Sequence, residues 1–136
     1  MASANKFQDF VEQLGLAIHN LHTATFNVYL TDATPSASAD AVKADLAELA
    51  TGGGYTGPLD TVNTWSETPG TGSMAAGTDP VWTGTTGFGP FRYVVLYNDT
   101  ATGDPLCIWW DYGSSISVGA AETFTVDFGT NILQIV

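Results

Sequence analysis

The sequence predicts a mainly β fold, an antiparallel β-sandwich or jelly-roll-like barrel with one N-terminal α-helix. Three observations predict it. Apolar residues recur at helical spacing near the N-terminus, they alternate with polar ones in segments such as 25–31 and 122–128, and glycine and proline break residues 51–89 into short pieces. Short strands separated by turn signals characterise sandwiches and barrels. At 136 residues the chain makes one domain, 1–136, with residues 5–21 as helix and 25–136 as the β-rich body.

The helix comes first. Ser3 or Asn5 can cap a stretch in which Phe7, Phe10, Val11, Leu14, Ile18 and Leu21 fall three or four residues apart, leaving Gln8, Asp9, Glu12 and Gln13 outward. The helix is expected to end near Asn20. Its stripe, Phe7, Phe10, Leu14 and Ile18 above all, must rest on the chain's own β-body or on an adjacent subunit. A second, marginal helix is suggested at 40–50, where Val42, Leu46 and Leu49 share a helical face.

Strands follow. In 25–31, Phe26, Val28 and Leu30 alternate with Thr25, Asn27 and Tyr29, and Pro35 lies in the turn residues after them. Punctuation at Gly52-Gly53-Gly54, Gly57-Pro58, Pro69-Gly70 and Gly89-Pro90 leaves room only for short strands at 62–67, 73–76 and 81–83. Residues 91–98 and 106–112 form a hairpin around the polar turn 98–105, and strands at 115–118, 122–128 and 131–136 continue it as an antiparallel meander. The hairpin is apolar on both faces, with Phe91, Tyr93, Val95 and Tyr97 set against Val94 and Leu96, and Leu106, Ile108 and Trp110 against Cys107 and Trp109. A strand covered on both sides needs two covers, and another chain is expected to supply part of the second.

Charge narrows the partners. Fourteen acidic residues face three basic ones, Lys6, Lys43 and Arg92, for a formal charge of −11, which leaves no basic patch for nucleic acid or an anionic membrane surface. Charged residues are 12% of the chain, about half the ~25% usual in soluble domains, so much of the surface is uncharged and suited to contacts within an assembly. The opening MASANKFQDF has neither the basic nor the apolar stretch of a secretion signal, and no apolar run approaches the roughly 20 residues that span a bilayer. With one cysteine there is no intramolecular disulfide.

No catalytic or metal-binding constellation is legible, and no cofactor is expected. His19 and His22 stand three apart but lack a third ligand at a suitable spacing, and they read as ordinary residues near a helix end. Cys107 has no histidine near it in sequence and reads as a small buried apolar residue. Asp99 with Asp104, or Asp111 with Glu122, are carboxylate pairs of the kind a very acidic chain holds by chance. The Asp99 and Asp104 segment reads as turn chemistry, and it lacks the calcium-loop spacing of EF-hands. The glycine triplet has no following Lys-Ser/Thr and reads as a turn. What remains are candidate contact residues: Phe7, Phe10 and Leu14 from the helix stripe, with Trp65 and Trp109 from a set of aromatics numerous for this length. Adjacent Trp109 and Trp110 must point to opposite faces of their strand, so one of them has to cover a sheet face, enter a subunit contact or stack on a sugar ring.

The order KFQDFVEQLGLAIHNL, FNVYLTDATP, ADLAELATGGGYTG, GPFRYVVLYNDTATGDPLCIWWDYGSSISV and ETFTVDF resembles a family of small virion proteins encoded by tailed bacteriophages. The resemblance runs over nearly the whole chain, and its most specific parts are the GGGYTG turn and the FRYVVLYNDT…WWDYG hairpin. It implies a particle component without catalytic activity, made in the bacterial cytoplasm and stationed on the virion surface as a capsid decoration, or cement, protein. The implied partners are the major capsid protein or other virion subunits and further copies of the chain. The rival expectation is a head or tail adhesin that offers outward aromatics to host-surface glycans.

Overall fold

The computed structural model describes residues 3–136. It is mainly β, with antiparallel sheets packed together and one N-terminal helix. Five strands form the largest sheet in the order β1 (Ala4–Lys6), β8 (Leu106–Gly119), β7 (Gly87–Asn98), β2 (Phe26–Thr31) and β3 (Leu59–Asp60). A three-stranded sheet, β10 (Leu133–Ile135), β5 (Thr71–Ala76) and β4 (Asn63–Thr68), and a two-stranded one, β6 (Val81–Thr83) and β9 (Thr123–Thr125), complete the sandwich. The C-terminal strands therefore do not prolong a meander. They return to pair with the short strands of the chain's middle, since every open edge of a small sheet leaves backbone groups unpaired.

The central strands are buried on both faces. Phe26, Val28, Leu30, Val94, Leu96, Ile108 and Trp110 face the main core, where they meet Met74, Trp82, Val126, Phe128 and Ile132 from the other sheets and the last segment. Tyr29, Val95, Tyr97 and Leu106 face a second, smaller cluster with Phe7 and Leu46, and Trp109 packs at its side. The cover expected in part from another chain is thus supplied here by residues of this one. Leu46 and Lys43 lie over the second face, the Lys43 ammonium 5.1 Å from the Tyr29 ring centre, and the Tyr29 hydroxyl donates to Leu46 O.

Two irregularities reassign side chains between these faces. Leu96 pairs with Ile108 but Tyr97 with Leu106, so Cys107 is an extra residue, a β-bulge, and it shares the main-core face with Ile108 instead of opposing it. Higher up, Phe91 pairs with Ile116 and Tyr93 with Asp111, which extrudes residues 112–115 from the ladder and puts Phe91 on the main-core face rather than with Val95 and Tyr97. Residues 115–118 are accordingly the upper part of β8 and not a separate strand.

The helix is shorter than the apolar spacing suggests. It spans α1 (Gln8–Gly15), and the residues before it are strand β1, which pairs with β8 through Ala4, Asn5 and Lys6. Neither Ser3 nor Asn5 caps it; Phe7 occupies the N-cap position without a side-chain bond. At the other end Ala17 turns left-handed at φ 62, with Ala17 N–H donating to Leu14 O and Ile18 N–H to Gln13 O, a Schellman reversal made without glycine. Phe7 and Phe10 consequently enter different clusters, clamping both faces of the sheet beside β8. The second expected helix is only a 3-10 turn, Lys43–Asp45. The Asp45 carboxylate accepts the Ala41 and Val42 N–H groups, and such local bonds compete with a helix ladder.

The glycine triplet makes the closest approach in the chain. A Cβ on Gly53 would lie 1.8 Å from Gly87 O, and Gly53 O accepts the N–H groups of Thr85 and Gly87. This turn seats Tyr55, whose buried hydroxyl donates to Glu48 Oε1 and accepts Leu30 N–H, while Glu48 Oε2 holds Lys43 at 2.6 Å.

Candidate functional site

An open aromatic groove lies between the upper part of β8 and residues 123–129. Trp110 and Tyr112 stand two apart and project to the same side, and Asp111 between them is fixed by Arg92 Nε at 2.8 Å, Arg92 Nη2 at 3.0 Å and the Gly113 N–H at 2.8 Å. That anchor holds the point where the chain leaves the ladder. The opposite wall continues β9: Val126 and Phe128 turn into the core, and Thr125 and Asp127 turn out. Asp127 Oδ1 accepts the Gly129 N–H at 2.8 Å, which closes a turn and leaves its second oxygen without a partner among the described residues.

The groove encloses about 580 Å³ and is lined by Val94, Trp110, Tyr112, Phe124, Thr125, Val126, Asp127 and Gly129. Val94, Trp110 and Val126 on its floor are buried, while Tyr112 on the rim is 58% exposed. Phe124 connects rim to core, its ring 6.0 Å from Tyr112 and 4.8 Å from Phe91. The Trp82 indole N–H donates to Gly57 O, but that of Trp110 meets no acceptor among the described residues. Asn27 Oδ1 is the sole fully enclosed side-chain polar atom left without a partner there, so the Trp110 N–H is not fully enclosed, and its residue lines the groove.

A second cluster assembles three residues that a sequence reader meets in cysteine nucleophile sites. His19 comes from the loop after α1, and its ring lies 4.0 Å from Cys107 Sγ and 3.2 Å, at Nδ1, from Asn98 Nδ2. The chemistry fails on direction. Asn98 Oδ1 accepts the Thr100 and Ala101 N–H groups, so its amide must donate to His19 Nδ1 and to Ile18 O, and the imidazole proton is left on Nε2. Neither ring nitrogen is then free to take a thiol proton. Burial lowers His19 to about 4, against a small upward pull from Asp9, and burial pushes the Cys107 thiol up. Both groups stay neutral, and the cluster is a latch between the helix exit and the hairpin turn.

The remaining sequence candidates are dispersed. Phe7 is fully buried against Trp109 at 4.6 Å between ring centres, and Phe10 is buried in the main core, so neither offers a surface to a neighbour. Leu14 is partly buried against the main core, and Trp109 is half-buried. Trp65 belongs to a different sheet, where it lies across Gly72 so closely that a Cβ there would meet its ring at 2.3 Å. Ile18, expected inside with the stripe, is 44% exposed, because the reversal at Ala17 swings it outward together with Leu16. His22 is exposed, and no group of three metal-ligating side chains forms among the described residues. Asp99 accepts the Tyr97 hydroxyl and Glu122 the Gly119 N–H. Sequence reasoning missed Tyr112, Phe124 and Asp127 as one site; the two-residue spacing of Trp110 and Tyr112 was its one signal.

Comparison with family models and with curated proteins finds no match for this chain.

Proposed function

We propose that this chain is a non-enzymatic structural subunit of a tailed-phage particle, a decoration (cement) protein that binds and stabilises the capsid exterior through the major capsid protein and neighbouring copies. The observation that carries the proposal is the apolar surface at the end of α1, where Val11, Leu16 and Ile18 are 52%, 62% and 44% exposed. Three large aliphatic side chains left in water, one on α1 and two in the reversal that follows it, favour burial against another subunit. Charge gives the direction of that contact. Lys43 pairs with Glu48 and Arg92 with Asp111, so Lys6 is the one unpaired cation among the described residues, and the acidic remainder suits an outward face away from packaged nucleic acid.

The test adds purified protein to particles that lack it. Wild type should bind and raise the temperature at which capsids open, whereas a Leu16→Asp, Ile18→Asp variant should bind at least about tenfold more weakly, the equivalent of 1.4 kcal/mol, while melting as wild type does. A variant that decorates normally would refute the contact surface. Purified virions that contain none of the chain would refute the proposal itself.

A further inference from the structure

We infer that the groove between β8 and residues 123–129 is a saccharide-binding site, taking a neutral, hydroxyl-rich pyranose ring. The inference stands on the groove alone and is independent of the virion proposal.

A pyranose offers an apolar C–H face and a rim of hydroxyls that both donate and accept. Its binding site needs an aromatic face, an acceptor with a free lone pair and a donor, all converging on one slot. The Tyr112 ring, 58% exposed, supplies the face, with Phe124 set edge-on beside it to hold its angle. Asp127 supplies the acceptor: one oxygen is spent on the Gly129 N–H, which fixes the carboxylate, and the other is available for a hydroxyl. The Trp110 indole supplies the donor from the floor. The volume of about 580 Å³ falls within the ~300–1,000 Å³ typical of small-molecule sites, enough for one or two sugar rings.

The same residues decide against other ligands. No lysine or arginine lines the groove of a chain carrying −11, so an anionic ligand would find no counter-charge. A cation would be drawn to the aromatic faces and to Asp127, but it would meet the positive end of the Trp110 N–H at the floor. A purely apolar ligand would leave both the N–H and the carboxylate oxygen desolvated and unpaired. Only a ligand that donates and accepts satisfies every group.

The experiment titrates the full chain, followed by its 1H–15N spectrum, with neutral oligosaccharides of glucose, galactose, mannose and N-acetylglucosamine, and with tetramethylammonium as a cationic probe. At least one oligosaccharide should displace the Trp110 indole resonance with a dissociation constant on the order of 1 mM, and Tyr112→Ala and Asp127→Asn should each weaken it about tenfold. Both side chains are exposed, so both variants should keep the dispersed spectrum of the folded chain. The inference falls if no oligosaccharide moves that resonance at concentrations on the order of 10 mM, if both variants bind as wild type does, or if tetramethylammonium binds where the sugars do not.

Discussion

Acidification should loosen this protein as the pH falls from about 6.5 towards 4, and His19 is the reason. The imidazole is 4% exposed, lies 5.0 Å from the Phe10 ring and 6.0 Å from that of Phe26, and accepts at Nδ1 from Asn98. A proton there would remove the acceptor and place a cation among aromatic rings. The folded chain holds His19 at about 4, while the unfolded chain takes the proton near 6.5. The unfolded state therefore binds more protons between these values, and stability is complete above about pH 6.5, declines as the pH falls and levels off below about 4. At ~1.36 kcal/mol per pH unit over that interval, the loss approaches about 3 kcal/mol. Asp45 and Asp111, held below the usual carboxylate range by backbone and Arg92 hydrogen bonds, lose their contributions at lower pH than this. Relief of the −11 charge on acidification works the other way, so the wild-type curve alone does not isolate the histidine. Urea unfolding at several pH values between 7 and 4, of wild type and of His19→Gln, does isolate it. The stability difference between the two should shrink by about 2–3 kcal/mol across the window, because glutamine keeps an acceptor for Asn98 but cannot titrate. A difference that stays constant from pH 7 to pH 4 would show that His19 is not the buried neutral acceptor described above.

Two further outcomes follow from the core. Trp82→Ala should cost about 3–5 kcal/mol in chemical denaturation, since the indole is 1% exposed among Tyr55 and Phe124 and its N–H is bonded to Gly57 O, and a loss under about 1 kcal/mol would contradict that burial. Cys107 should resist a thiol-specific disulfide reagent at pH 8 in the native protein and react at once in urea, because burial keeps it a thiol; rapid native labelling would mean that the His19 latch opens freely.

Much of the architecture was legible because hydrophobic period survives in strongly built strands. The two-sided apolar character of 91–98 and 106–112 correctly marked the centre of a sandwich, and Phe26, Val28 and Leu30 point inward as alternation requires. What escaped were features with no local signature. The reversal after α1 uses Ala17 where a glycine would have announced it, and so residues 16–21 looked like more helix. Leu46 fits a helical face as well as it fits the second cluster, and only the Asp45 bonds to Ala41 and Val42 decide between them. The candidate groove was the least legible part, because its two walls come from segments more than ten residues apart that belong to different sheets. His19, Asn98 and Cys107 were equally distant in sequence, and their contact depends on the loop after α1 folding back.

The bulge at Cys107 also sets a counting rule for this chain. Between the hairpin turn and the groove, the number of residues on β8 has a fixed parity: Leu106 must look one way and Trp110 and Tyr112 the other, although an even number of steps separates them. One extra residue reconciles the two ends. Removing it would force a choice between a hairpin end with its side chains inverted and a groove whose aromatic wall has rotated to the opposite face. Gains and losses of single residues along 106–112 are therefore closed to this fold, even though substitutions there that preserve volume are not.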